Sequence, residues 1–198
     1  MFASECSLET FCRNVAKSWK CRGLMWPYQA LKEWHDFYLL VGTVGATLLG
    51  LLFIAVSLGV GFLTGQRKEA TRTFMSPVVV HLASVFFLSA IALFPWHRAD
   101  FLAAIVGATA VVGAILSSYI TIQIVRTNMT NYVDDYIAYG FLPGIGYLAL
   151  IAAGVSIYLQ MEIGLYAFAG ALLLLEIVNI RNAWDLTLTM VQRAHPKE

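Results

Sequence analysis

The sequence predicts an all-α fold: a polytopic membrane helix bundle with five transmembrane helices. Three observations carry that reading. Of 198 residues, 59% are hydrophobic and 13% are charged, against roughly 25% charged in an ordinary soluble domain. Mean hydropathy is +0.71. The charged residues stand at the edges of long uncharged runs: 30 residues between Asp36 and Arg67, 25 between Arg72 and Arg98, 25 between Asp100 and Arg126, and 26 between Asp135 and Glu162. A spanning helix needs about 20 apolar residues, because the hydrocarbon core is about 30 Å thick and a helix rises about 1.5 Å per residue. Thirteen Lys and Arg against twelve Asp and Glu give a net charge of +1. That balance excludes a disordered chain and a nucleic-acid binder working through bulk charge. Barrel strands would alternate in short segments, which these runs do not.

Residues 1–36 read as an N-terminal tail or a short amphipathic helix at the membrane surface. They are not a cleavable signal peptide, since residues 1–24 lack an apolar core and carry Arg13, Lys17, Lys20 and Arg22. An equal reading makes Met25 the true start. Cys6, Cys12 and Cys21 all fall in this head, in neither a C-x-x-C nor a zinc spacing.

The bundle is expected over residues 37–182, with spans at 37–65, 76–96, 101–125, 137–159 and 163–180. Ser76 and Pro77 suit the N-cap and first turn of the second span. The fifth span carries Glu176. Its run Leu172 to Leu175 gains roughly 0.5 kcal/mol per residue, which offsets most of the about 2.5 kcal/mol for one carboxyl. Beyond it, residues 183–198 continue as a helical tail to about Arg193.

An odd span count puts the termini on opposite sides. Seven positive residues fall on the side of the 65–75 loop, the 126–136 loop and the C-tail; six fall on the other side. The positive-inside rule then favours a cytoplasmic C-terminus. Asn128-Met129-Thr130 matches a glycosylation sequon, but this topology places it in the cytoplasm. Trp26, Tyr28, Trp34, Tyr38, Trp96 and Trp184 sit near span edges, where aromatic belts form.

Two features inside the spans point beyond packing. Gly42, Ala46, Gly50, Ser57, Gly61 and Gly65 share one face of the first span, within an arc of about 140°. Small faces let helices approach closely, either within the bundle or against a second copy or another membrane protein. Ionisable groups are costly in a bilayer and are functional candidates. His81 and Glu176 each lie roughly 7 Å deep from the same side. Ser117, Tyr119 and Asn179 fall near that level. So does Pro143-Gly144-Ile145-Gly146, where Pro143, Gly144 and Gly146 are expected to break the fourth span. His81 is the only histidine within a span, which argues against a bis-histidine haem. No cofactor and no metal ligand set is indicated.

The run Trp34-His35-Asp36-Phe37-Tyr38-Leu39-Leu40-Val41-Gly42, continued by Ala46-Thr47-Leu48-Leu49-Gly50-Leu51-Leu52-Phe53-Ile54-Ala55-Val56-Ser57-Leu58, resembles the opening of a group of small bacterial integral membrane proteins with no established activity. The resemblance covers roughly residues 30 to 193. It implies a bacterial inner-membrane location and fits a start near Met25, and it carries no functional residues.

Two functions follow. One is a non-enzymatic accessory or regulatory membrane subunit with the lipid bilayer as its solvent. The other is a small proton- or cation-linked channel or transporter using the His81/Glu176 layer. An enzyme is not expected: no nucleophile stands beside a base, and no H-E-x-x-H or phosphate loop occurs.

Overall fold

The computed structural model describes residues 28–59, 66–95, 98–127 and 137–194. Among the described residues there are six α-helices: α1 Tyr28–Glu33, α2 His35–Gly59, α3 Gln66–Leu93, α4 Ala99–Thr127, α5 Leu142–Tyr158 and α6 Ile163–Ala194. A π-helical turn, Ile137–Phe141, leads directly into α5. Gly61, Gly65, the three cysteines, the sequon and the first 27 residues lie outside the described residues.

The described residues are all-α and include four helices long and apolar enough to cross a membrane: His35–Ala55, Ala99–Gln123, Ile137–Tyr158 and Ile163–Leu188. The expected second span is the exception. Its apolar stretch, Pro77–Leu93, is 17 residues or fewer, about 25 Å of helix. Nor does that helix start at Ser76-Pro77. It begins at Gln66, and Pro77 lies inside it. Gln, Arg, Lys, Glu and Ala upstream are good helix formers, and one backbone hydrogen bond lost at Pro77 does not stop a helix already running.

The helices alternate in direction. Gly42 of α2 meets Ser89 of α3, while Gly45 meets Leu82 and Phe86, so these two run antiparallel. The pair α4 and α5 is antiparallel as well: Gly113 meets Tyr147, and Gly154 meets Ala103 and Gly107. In contrast α2 and α6 run parallel, with Trp34 on Tyr166 and Tyr38 on Phe168. The long helix α6 packs on α2, α3 and α5. Its Phe168, Leu172 and Leu175 are fully buried.

Polar groups on the spans are mostly satisfied locally. Thr43, Thr47 and Ser57 donate to the carbonyls of Leu39, Thr43 and Phe53, which removes the hydroxyls' cost in lipid. Asp36 and Asp100 lie in the first turns of α2 and α4, where the helix dipole favours a negative charge. Asp100 also pairs with Arg98 through two hydrogen bonds, and Arg98 stacks over Phe101 at 4.8 Å. The outer surface is apolar: Leu40, Phe53, Ile115, Leu148 and Ile177 are all more than half exposed. In water such a surface would aggregate; against lipid it is the solvent-facing side.

Of the residues expected in an aromatic belt, Trp26 and Trp96 lie outside the described residues. Trp184 faces outward at 67% exposure, but Tyr38 is fully buried against Phe168. Trp34 is half-buried between Phe37 and Tyr166.

The turn from α5 to α6 is a Schellman motif. The N–H of Met161 donates to Ser156 and that of Gln160 to Ile157, with Gln160 at φ 56°. That left-handed conformation suits glycine and strains other residues. Gln160→Gly is expected to stabilise the bundle by up to about 1 kcal/mol, read as a raised midpoint of denaturation in detergent. An unchanged or lowered midpoint would contradict the assignment.

Candidate functional site

The candidate layer forms where α6 crosses α2, α3 and α5. Its side chains stand in the bundle because they share faces with core residues. On α6, Glu176 and Asn179 follow the buried Leu172 and Leu175 at helical spacing; on α3, His81 sits beside the buried Val78 and Leu82. His81 is 1% exposed, Glu176 5%, and Asn179 and Ser89 0%.

Sequence reasoning placed His81 and Glu176 in one layer, and both are buried in the bundle. They are not hydrogen-bonded to each other. His81 Nδ1 and the Tyr147 hydroxyl share a hydrogen bond of 2.7 Å, and His81 Nε2 has no partner. Neither carboxyl oxygen of Glu176 has a hydrogen-bond partner. A Cβ at Gly45 would stand 3.5 Å from Glu176 Oε2 and 3.7 Å from the carbonyl oxygen of Leu82. The carboxyl therefore lies in the cleft between α2 and α3, where Gly45 lets the backbones close. Asn179 donates to the carbonyl of Leu175 at 2.6 Å, and its Oδ1 is without a partner. Nearer α1, the buried Ser89 Oγ and the Tyr38 hydroxyl are also unpaired. Buried polar atoms are usually hydrogen-bonded, and among the described residues three of the six without a partner belong to Glu176 and Asn179 on α6.

Ser117 and the π-turn form a second polar group. Ser117 donates to the carbonyl of Gly140 at 3.2 Å. Asn182 donates to the carbonyl of Ala138 at 2.9 Å. The Tyr139 hydroxyl donates to the carbonyl of Asn182 at 3.1 Å and lies 3.3 Å from Asp185 Oδ2. In a π-turn the carbonyl of Ala138 is matched to the N–H of residue 143, but residue 143 is proline and has none. Asn182 supplies the missing donor.

Three expectations are corrected here. The fourth span is not broken at Pro143, Gly144 and Gly146. The chain passes from π-turn to α-helix without leaving helical conformation, and Asn182 takes up the Ala138 carbonyl that Pro143 cannot serve. Pro143 sits in the first turn of α5, and Gly146 packs under Leu175, where a Cβ would come within 2.7 Å. Gly144 is half-buried near Ser117.

Tyr119 is not in the layer. It is 59% exposed and accepts a hydrogen bond from Gln123 at 2.8 Å, since two residues beyond Ser117 is about 200° around the helix.

The small-residue face divides. Gly42 packs on Ser89, but Ala46, Gly50 and Ser57 face outward, and nothing lies within 4 Å of a Cβ at Gly50. The contact strip uses Gly42 and Gly45, three apart, and turns away from the four-residue series.

Tyr147, Asn182, Gly45 and Ser89 were missed by sequence reasoning. For Asn182 a signal existed: Glu176, Asn179 and Asn182 recur every third residue along an apolar helix. For Tyr147 none did, because its partner lies 66 positions away.

No group of three or more His, Cys, Asp or Glu among the described residues is placed to hold a metal ion. No protein-family model, no curated protein and no solved structure matches this chain.

Proposed function

We propose that this multi-pass membrane protein is a small proton- or cation-linked transport protein, with Glu176 as the ion-binding group. One observation carries the reading: Glu176 is buried at 5% exposure and both its carboxyl oxygens lack a partner. An ionised carboxyl without a partner in a low-dielectric interior costs tens of kcal/mol on a Born basis, so it is carried neutral or with a bound cation. His81, with Nε2 unpaired and Nδ1 tied to Tyr147, is the second polar group of the layer. The reading assigns no catalytic chemistry.

In this reading α3 is also a span, giving five. Its 17-residue apolar stretch reaches the lower end of spanning length, and its antiparallel seat beside α2 supports a crossing. The C-terminus is then cytoplasmic, in the bacterial inner membrane that the opening run implies.

The test is ion flux in proteoliposomes, wild type beside Glu176→Gln. The wild type is expected to move protons or a cation, and the substitution to reduce flux at least tenfold while the protein still folds. Equal flux in the two proteins would remove Glu176 from the pathway. A second reading, a non-enzymatic accessory subunit, is favoured by the outward Ala46, Gly50 and Ser57, where a partner helix would approach closely. No flux in either protein, across several ions, would leave that reading standing.

A further inference from the structure

Glu176 and Asn179 are buried one helical turn apart on α6. Side chains three residues apart on a helix are neighbours, about 5–6 Å between Cβ atoms. Asn179 commits its amide N–H to the carbonyl of Leu175 at 2.6 Å. Its Oδ1 therefore faces the bundle as an acceptor, unpaired, as are both oxygens of Glu176. All three acceptors are buried without a hydrogen-bond partner. Adding one proton converts the carboxyl into an acid whose O–H can donate to the amide oxygen.

Resting on the ion-linked reading above, we propose that the ion held at Glu176 is a proton, shared between its carboxyl and Asn179 Oδ1, and not a metal cation. Hard divalent cations take about six to eight oxygen ligands. Here the described residues offer two carboxyl oxygens and one amide oxygen, with the Ser89 hydroxyl one turn further along α3. The Leu82 carbonyl and Phe86 N–H near Gly45 belong to a continuous helix. Four oxygens do not make a shell, whereas a proton needs none. The titratable groups buried on the elements packed against α6 are Tyr38 on α2, His81 on α3, Tyr147 on α5 and Tyr139 on the π-turn, whose hydroxyl is bound at Asn182 and Asp185. None of them is hydrogen-bonded to the carboxyl. The described charged groups of α6 itself, Arg181 and Asp185, are exposed.

The experiment uses the full chain in liposomes and dicyclohexylcarbodiimide. This lipid-soluble reagent reacts with the neutral acid, whose O–H adds across a C=N bond to leave an O-acylisourea. Peptide mass spectrometry reads the labelled residue. Glu176 is expected to be labelled on the acid side. Labelling should fall about tenfold per pH unit once the acid ionises, stay unchanged by sodium, potassium, magnesium or calcium, and vanish in Glu176→Gln. Protection by any of these cations would overturn the proton assignment and leave the ion-linked reading intact. Labelling independent of pH would overturn it too, as would no protonated-acid carbonyl band in the infrared difference between wild type and Glu176→Gln. Labelling as expected, with no flux, would overturn the transport reading alone.

Discussion

Gly113→Leu is expected to destabilise the bundle by about 3 kcal/mol, the upper end of the usual range for overpacking. The reason is geometric. A Cβ at Gly113 would stand 2.0 Å from Cε1 of Tyr147 and 2.3 Å from its Cζ, far inside van der Waals contact. The ring cannot yield cheaply, because Tyr147 is fully buried and its hydroxyl is held by His81 at 2.7 Å. Either α4 moves away from α5, or Tyr147 leaves its site and His81 loses its partner. Denaturant titration in detergent micelles reads the loss. Gly107→Ala on the same helix is the control: nothing lies within 4 Å of a Cβ there, so helix propensity alone acts and the change is small. A Gly113→Leu protein as stable as wild type would show that Tyr147 does not occupy this position.

Asn182→Leu is the second large effect, again about 3 kcal/mol of lost stability. It deletes the side-chain donor to the carbonyl of the buried Ala138, and a lost hydrogen bond is costly at membrane depth. A double-mutant cycle isolates the cause. Pro143→Ala restores an N–H at the position the π-turn matches to Ala138, so Asn182→Leu should harm Pro143→Ala less than it harms wild type. The expected coupling is about 0.5–3 kcal/mol, read from the same titrations. Additive losses would sink the account of Asn182 as a substitute donor. A π-turn held from two sides, by Ser117 on α4 and Asn182 on α6, also ties three helices at one level.

Helix content, the apolar exterior and the burial of His81 and Glu176 were legible in the sequence, because each follows from local composition and spacing. Helix starts were less so. Ser76-Pro77 looks like an N-terminus, yet the residues before it are better helix formers than the signal allowed for, and α3 begins ten residues earlier. Pro143 by itself favours a break, and the Asn182 donor on the neighbouring helix offsets it.

The sequence by itself determined the solvent. Uncharged runs of 25 to 30 residues commit the chain to lipid, since no soluble fold hides that much apolar helix. It also determined that Glu176, Asn179 and Asn182 fall along one side of the last helix, a matter of periodicity alone. Which atoms meet was decided only by the tertiary structure. Gly45 rather than Ala46 faces Glu176; Tyr147 rather than Glu176 holds His81; Asn182 serves a carbonyl 44 residues away. A sequence fixes the angle of each side chain about its own helix axis. The rotation and separation of neighbouring helices are set by close packing of all of them together, and a shift of one residue at a contact exchanges one partner for another.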